Sequence, residues 1–383
     1  MLVISEGKIM TMGQQGMVEK GQIIIKNGKI KEVGKNLEIP DEAKVIDASG
    51  KIIFPGMVDA HTHLGIGEDA EGWEGRDYNE MTDPITPHLR AIDAINPSEE
   101  GLKETAKAGI TTVMTGPGSA NVMGGESVVI KTRGKTVEDM KLKNPAGIKA
   151  AFGENPKRVY NEQKKSPSTR MAVAAAMRKT FIQAEDYQKK KEHNEKEGKP
   201  FSRDIKMESV IKVLNKEIPL KAHAHRADDI MTILRIAREF DIEVTLEHCT
   251  EGHIIAEEIA KAGVPAIVGP TLTGRVKVEL RNRDFKTPGV LAEAGVKVAL
   301  MSDHPVIPSA NLPVYAALAV KSGMSREEAL KAITINAAEI LGVADKVGSI
   351  EKGKDADLVI FDGDPLDISS EVEHVIINGK TLN

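Results

Sequence analysis

The chain is poor in several features that mark particular classes of protein. Among its 383 residues there is one cysteine, Cys249, so no disulfide can form within the chain, which is typical of a reducing compartment. Aromatic residues make up only 3% of the sequence, too few for a surface that stacks nucleic-acid bases. The formal net charge is −5, so no basic excess indicates binding to nucleic acid.

Long apolar runs are also missing. No stretch of about 18 apolar residues occurs, so we expect no membrane span, and the first residues do not resemble a secretory signal. We therefore predict a cytoplasmic protein. Hydrophobic residues make up 40% and charged residues 28%, a globular profile. The length favours one large domain and a smaller one, while the oligomeric state, including a homo-oligomer, stays open.

The two ends of the chain are rich in short β-strand patterns. Asn27-Gly28 separates two β-rich runs near the start, and Asn378-Gly379 punctuates the last run. Asn-Gly is the preferred pair in tight hairpin turns. We therefore predict one small β-domain, a β-sandwich, built from residues 1–54 and 347–383.

The middle of the chain, residues 55–346, alternates strand and helix patterns. The candidate strands are Val58–His63, Thr111–Gly116, Val128–Thr132, Ile148–Gly153, Leu220–His225, Glu243–His248, Ala266–Pro270 and Val298–Asp303. Repeated strand-then-helix units favour a parallel sheet, and eight of them predict a (β/α)8 barrel, an α/β fold of the TIM type. Residues 64–96 suit a loop over the barrel, and residues 155–208 are a charged insertion with a predicted helix over Met171–Lys191.

Histidines and one aspartate stand at the ends of these candidate strands. His61 and His63 are spaced i, i+2, so on a strand both face the same side, and the same holds for His223 and His225. His248 and Asp303 end two further runs. Because active sites of such barrels lie at the carboxyl ends of the strands, we expect these side chains to meet. Imidazoles and a carboxylate suit zinc, manganese, iron or cobalt.

Several segments carry a resemblance to a known family. The segment Val45–Leu64 and the ending Gly348–Phe361 are the most specific, and Asn336–Gly342 fits the helix that precedes the ending. The chain resembles the amidohydrolase superfamily, and within it the imidazolonepropionase- and prolidase-like branch. That resemblance implies a (β/α)8 barrel with a terminal β-sandwich, one or two divalent metal ions, with zinc expected first, and hydrolysis of carbon–nitrogen bonds in a small-molecule substrate.

The resemblance also assigns roles at the metal site. The metal ligands that it implies are His61, His63, His223, His248 and Asp303. It implies that His225 lies nearer the substrate. A carboxylated lysine on the fourth strand bridges two metals in some relatives, and Lys149 matches that position. Glu154, at the end of the same strand, is the alternative bridge, and Lys131 is a weaker candidate.

We predict two catalytic residues, Asp303 from the chemistry of the site and His225 from the place near the substrate that the resemblance implies. A carboxylate that touches the attacking water can take its proton and later give it to the leaving nitrogen, and Asp303 is our candidate. Polar residues after the strands are candidates for substrate contacts, and a guanidinium among them could hold a substrate carboxylate in two-point fashion. These candidates are Asn121, Glu126, Glu154, Arg158 and Arg275.

Two other functions remain open. A deaminase of a cyclic amidine or an aminated ring is the first alternative, but related deaminases carry His-x-x-Glu after the fifth strand, and here the residues His223–Arg226 lack that glutamate. The second alternative is a non-catalytic binding barrel. Retention of every ligand type at the strand ends argues against it.

Overall fold

The computed structural model describes residues 1–69 and 72–382. Its strands are β1 (Leu2–Met10), β2 (Met17–Lys26), β3 (Lys29–Gly34), β4 (Lys44–Asp47), β5 (Ile52–Pro55), β6 (Met57–Thr62), β7 (Ile110–Thr115), β8 (Met123–Lys131), β9 (Lys141–Ala151), β10 (Leu220–Ala224), β11 (Val244–His248), β12 (Ala266–Val268), β13 (Val298–Leu300), β14 (Leu358–Phe361), β15 (Val372–Ile377) and β16 (Lys380–Thr381).

The α-helices of the same ranges are α1 (Glu100–Lys107), α2 (Val137–Met140), α3 (Glu154–Glu162), α4 (Arg170–Lys196), α5 (Ile205–Leu214), α6 (Ala227–Phe240), α7 (Ala256–Ala262), α8 (Thr287–Glu293), α9 (Leu312–Lys321), α10 (Arg326–Ala332) and α11 (Ile335–Leu341). Short 3-10 segments lie at Ala91–Asp93, Gly252–Ile254, Val278–Leu280 and Ser309–Asn311. Across the described ranges, no helix combines the length and the apolar character that a membrane crossing requires.

Strands from both ends of the chain form one sheet, as the sequence predicts. The order is β16-β15-β14-β5-β1-β2-β3, and β4 pairs with β1. Asn27 and Gly28 both adopt positive φ, 53° and 77°, between the antiparallel strands β2 and β3. Both central residues of a type I′ hairpin turn need that conformation, which explains the Asn-Gly pair. The apolar core of this part is isoleucine-rich and draws on both termini.

The other sheet has the order β13-β12-β11-β10-β9-β8-β7-β6, so all eight predicted barrel strands are present. Its first and last strands are joined by backbone hydrogen bonds, from Asp303 N to His61 O (3.1 Å) and from His63 N to His304 O (2.8 Å). The barrel is therefore nearly closed, and the closing bonds lie among the expected ligand residues.

The prediction of a fully parallel barrel is wrong at one strand. β8 runs antiparallel to both β7 and β9. Only residues 116–122 connect β7 to β8, which is too short for the helical crossover that parallel neighbours need. Because β8 is reversed, Lys131 at its carboxyl end lies away from the mouth of the barrel. There Lys131 pairs with Asp355 (3.0 Å) and Asp357. Lys131 is therefore no metal ligand.

The charged insertion is helical and packs beside the barrel. α4 spans 27 residues and includes the predicted helix Met171–Lys191. Thr169 is its N-cap, since the Thr169 side chain accepts a hydrogen bond from Ala172 N (3.1 Å). The helix continues past the predicted end to Lys196, because lysine and glutamate are good helix formers. Residues 189–196 are mostly exposed, so this last part of α4 contributes little to the core.

Candidate metal centre

The strand ends bring five buried histidines and one aspartate together. Ring centroids lie 5.3 Å apart for His61 and His63, 5.5 Å for His61 and His248, and 4.2 Å for His223 and His248. His248 and Asp303 have positive φ, 71° and 58°. Such backbone is costly for a residue with a Cβ and is concentrated at functional sites.

The ligand atoms fall into two neighbouring groups. In one, the Nε2 atoms of His61 and His63 lie 3.3 and 3.4 Å from Asp303 Oδ1. In the other, His223, His225 and His248 each offer a nitrogen, and these atoms lie within 4.8 Å of one another. Two nitrogens and a carboxylate oxygen, or three nitrogens, match the ligand sets of transition-metal sites. The residues therefore fit one or two divalent ions.

Hydrogen bonds to the other ring nitrogen select the ligand atom. His63 Nδ1 lies 2.7 Å from Gly116 O, and His248 Nδ1 lies 3.0 Å from Gly269 O. A carbonyl can only accept, so each Nδ1 carries the proton and each Nε2 keeps its lone pair for a metal. This is the usual way in which a protein fixes the tautomer of a ligand histidine.

The two histidines of β10 differ in their surroundings. Neither ring nitrogen of His223 has a hydrogen-bond partner among the residues described. His225 Nδ1, in contrast, lies 2.7 Å from Thr250 Oγ1, and its Nε2 lies 3.7 Å from Glu279 Oε1. A buried imidazole without partners is costly unless a ligand completes it, so His223 has the stronger geometry for a metal ligand.

The local electrostatics keep His223, His248 and Asp303 in their metal-binding forms, whereas the pKa of His61 is raised, because Glu247 and Asp303 outweigh the effect of its burial. Burial lowers the pKa of His223 and His225 well below the ordinary value and that of His248 to about 3. Burial raises the pKa of Asp303, but the neighbouring imidazoles of His248, His61 and His63 outweigh it and hold that pKa well below its usual range. Neutral imidazoles beside a carboxylate are the states that bind metal.

Lys149 lies inside the barrel, as the fourth-strand position predicts, and it has a partner that sequence reasoning missed. Its Nζ lies 2.8 Å from Glu247 Oε2 and 3.2 Å from His61 Nε2. Glu247 is fully buried and also lies 2.9 Å from His61 Nδ1 and 3.7 Å from Lys221 Nζ. The sequence signal for Glu247 was the presence of a charged residue within the otherwise apolar strand that ends at His248.

A cavity of about 340 Å³ opens over the histidines. Tyr78 and Asn79, from the loop predicted to cover the site, line it, and the Tyr78 ring stacks on His63 with centroids 5.4 Å apart. Lys277 and Asn155 also line it; sequence reasoning singled out none of these four. Trp73, in the same loop, is 88% exposed, so it does not pack beneath the loop.

Of the five predicted substrate contacts, the structure brings Arg158 to the cavity lining. Asn121 is buried and already hydrogen-bonds Glu80 O and Thr86 Oγ1 while accepting from Tyr160. Its hydrogen-bonding groups are engaged within the protein, so it does not face the cavity.

The other three candidates lie away from the lining. Glu126 is on the reversed strand β8 and pairs with Lys212 on α5 (2.6 Å). Arg275 stabilises its own loop through Arg281 O (2.9 Å). Glu154 starts α3, outside both ligand groups, so the structure does not place it as a bridge between metals.

The barrel and its ring of histidines define this chain as a barrel protein with a candidate metal centre at the carboxyl ends of its strands. A model of the amidohydrolase family matches residues 52–382. The chain belongs to the amidohydrolase family.

Individual relatives agree with this placement. An amidohydrolase from Thermotoga maritima MSB8 has a solved structure that is 46% identical, with a TM-score of 0.97 and full coverage of both chains. The imidazolonepropionase of Shouchella clausii is 28% identical over 92% of this chain and 81% of that protein. Amidohydrolase tasK of Hapsidospora irregularis is 28% identical over 94% of this chain, which spans only 39% of that protein's length. A prolidase complexed with N-methylphosphonate-L-proline is 18% identical with a TM-score of 0.62, a likeness of fold.

Proposed function

We propose that this protein hydrolyses a carbon–nitrogen bond in an amide, cyclic amide or dipeptide-like small molecule. The observation that carries the proposal is the approach of His61 Nε2 and His63 Nε2 to Asp303 Oδ1, at 3.3 and 3.4 Å, on the floor of a cavity large enough for a small substrate. The family membership and the imidazolonepropionase relatives support the same class of reaction.

One or two divalent ions belong to this proposal, with zinc first and manganese, iron or cobalt as alternatives. The residues that would hold them are His61, His63, His223, His248 and Asp303, with a carboxylated Lys149 as the bridge between two. A bound divalent ion would lower the pKa of water and polarise the scissile carbonyl. Lys149 Nζ already lies 3.2 Å from His61 Nε2, which supports its place at the centre.

Asp303 is the proposed general base and acid. Its pKa is held well below the usual range by the histidines around it, despite its burial, so it is ionised at neutral pH. It takes the proton of the attacking water and returns it to the leaving nitrogen. Because Asp303 is also a ligand residue, its carboxylate stands beside the reacting atoms.

His225 is the proposed partner of the substrate carbonyl. If Thr250 Oγ1 donates to Nδ1 (2.7 Å), the neutral ring carries its proton on Nε2 and can donate from there. Burial lowers the pKa of His225 well below the ordinary value, which keeps the ring neutral. A neutral donor fixed in place stabilises negative charge that develops on the substrate oxygen.

The test is a hydrolysis screen on metal-loaded protein with N-acyl amino acids, dipeptides and cyclic amides. We expect turnover of at least one class, loss of turnover on chelation, and its return on adding zinc or manganese. Asp303→Asn should abolish turnover, whereas Asp345→Asn, at an exposed position, should retain it. Turnover that survives complete removal of metal would contradict the proposal.

A deaminase is a second candidate because of Glu279. This carboxylate comes from the loop after β12 and lies 3.7 Å from His225 Nε2. The loop therefore supplies an acid next to His225, close to the position where the deaminase pattern His-x-x-Glu has a glutamate and this chain has Arg226. Screening aminated heterocycles for ammonia release separates the two functions. Ammonia from such rings without cleavage of any amide would favour the deaminase.

A further inference from the structure

A third group of metal-ligand side chains lies outside the cavity described above. Asp69 stands in the loop after β6, Glu99 directly precedes α1, and His304 follows β13. One carboxylate oxygen of each acid and one ring nitrogen of His304 lie within 4.8 Å of one another. All three residues lie outside the lining of the cavity over the histidines, so the group is separate from the candidate metal centre.

Two atoms of this group are buried without a hydrogen-bond partner. Glu99 and His304 are 3% and 2% exposed, and neither Glu99 Oε1 nor His304 Nε2 has a partner in the part of the chain that the structure describes. The other carboxylate oxygen of Glu99 accepts a hydrogen bond from Gly65 N (2.8 Å). Buried polar atoms without partners are costly and rare in folded proteins, so a ligand between these two atoms would stabilise the fold.

The spacing of the donor atoms fits an ion better than direct contact. His304 Nε2 lies 3.8 Å from Asp69 Oδ1 and 3.9 Å from Glu99 Oε1, which is too far for hydrogen bonds. A tetrahedral zinc ion with bonds of about 2.1 Å holds two neighbouring ligands about 3.4 Å apart. The observed separations are only slightly longer, so small side-chain rotations would complete a metal site.

Gly101, in the first turn of α1, leaves room for an ion. A Cβ on this residue would stand 2.7 Å from Glu99 Oε1 and 3.0 Å from His304 Nε2. A side chain at this position would therefore occupy the space beside the two unpartnered atoms. Because the residue is glycine, that space stays open to a ligand.

The charges around the group favour a cation. Within residues 1–69 and 72–382, no lysine or arginine lies within ion-pair distance of Asp69 or Glu99. Glu68 adds a third carboxylate, which accepts a hydrogen bond from the neutral amide of Asn96 (2.7 Å). The N-terminal end of α1 offsets part of this charge, but a helix end carries only about half a positive charge. The three carboxylates therefore keep an excess of negative charge.

One contact opposes metal binding by His304. Ser309 N lies 3.4 Å from His304 Nδ1, and a hydrogen bond accepted at Nδ1 leaves the proton of the neutral ring on Nε2. The contact is long for a backbone N–H donor, so the bond is weak. An ion at Nε2 would move the ring proton to Nδ1 and break this weak bond, a loss that the new metal–ligand bonds outweigh.

We propose that Asp69, Glu99 and His304 bind a further divalent transition-metal ion, zinc or manganese, in addition to any ion at the candidate metal centre. An imidazole and two carboxylates suit these ions, whereas calcium and magnesium prefer oxygen ligands. The ion joins the loop after β6 to the start of α1 and to the end of β13. Tyr78 and Asn79 of the same loop line the cavity, so the ion fastens the segment that covers the cavity.

The experiment counts bound zinc ions. Protein freed of metal by a chelator is dialysed against zinc buffered at a fixed free concentration, and the zinc bound per chain is measured by emission spectroscopy. We expect Asp69→Ala and Glu99→Gln each to bind one zinc ion per chain fewer than the parent. Asp77→Ala and Glu100→Gln are the matched controls, because they remove the same charges from exposed positions in the same loop and beside Glu99. Both controls should bind as much zinc as the parent.

A further variant separates this site from the candidate metal centre. In a His223→Asn background, Asp69→Ala should still remove one zinc ion per chain, because independent sites add. A loss that disappears in this background would overturn the proposal, since Asp69 would then act through the candidate metal centre. Equal zinc binding by the parent, Asp69→Ala and Glu99→Gln would also overturn it. So would crystals grown with zinc that show only a water molecule among the three side chains.

Discussion

Glu247→Gln is the substitution whose effect follows most directly from the structure. Glu247 is fully buried, and the side chains of Lys149 and Lys221 beside it are 3% and 1% exposed. Removing one partner of a buried ion pair leaves an uncompensated charge and costs about 3–5 kcal/mol. The glutamine amide can still accept a hydrogen bond from Lys149, so we expect the free energy of unfolding to fall by an amount near the lower end of that range, about 3 kcal/mol.

The assay is urea unfolding of metal-free protein, read as the shift in the midpoint at constant slope. Glu243→Gln is the control, since Glu243 precedes the same strand but is exposed; it should change stability by less than about 0.5 kcal/mol. The double variant Glu247→Gln, Lys221→Met should lose less stability than Glu247→Gln alone, because it also removes the buried Lys221 ammonium that would otherwise lack a carboxylate partner. A loss in Glu247→Gln equal to that of the control would refute the reasoning.

Four further outcomes are expected. Asp303→Asn should lower hydrolysis by about two to four orders of magnitude while its circular dichroism spectrum stays that of the parent. His223→Asn should lower the metal content measured by emission spectroscopy, and His225→Asn should lower it less, because only His223 lacks hydrogen-bond partners for both ring nitrogens in the described structure. A chain cut after residue 347 should aggregate in light scattering, since it loses β14–β16 from the terminal sheet. Burial raises the pKa of Glu99 to about 7; the folded state therefore binds this proton more tightly, and metal-free protein should lose stability as pH rises from about 4.5 to about 7, a slope that Glu99→Gln should flatten.

Specific results would contradict the last three of these expectations. Normal metal loading in His223→Asn with loss in His225→Asn would reverse the assignment of the pair. A truncated chain as soluble and heat-stable as the full one would show that the terminal strands do not share a core with the start of the chain. An unchanged slope of stability against pH in Glu99→Gln would show that Glu99 is not the group responsible.

Sequence periodicity predicted that the strand-end histidines and Asp303 would lie together, because their positions follow from strand geometry. His61 and His63 share a face by their spacing, and His248 and Asp303 mark strand ends, which a barrel gathers at one rim. The direction of β8 was not predictable in this way, since a buried apolar strand has the same pattern in either direction. The short connection before it, residues 116–122, was the signal against a parallel arrangement.

Contacts made by loops were harder to predict than contacts made by strands. Asn121 stands in a glycine-rich loop that suggests close approach to a ligand, yet its amide is bonded to neighbouring residues and Tyr160. Lys277 and Glu279 reach the cavity through the irregular loop after β12, which no periodic pattern describes. Glu247, which directly precedes His248, was not among the predicted site residues.

An anomalous difference map from crystals grown with zinc, recorded at the zinc absorption edge, tests the central claim most directly. The account predicts a peak bound by Nε2 of His61, Nε2 of His63 and the Asp303 carboxylate, with any second peak beside His223 and His248. Crystals grown with zinc that show no anomalous peak among these side chains, or show zinc only elsewhere on the protein, would contradict the account.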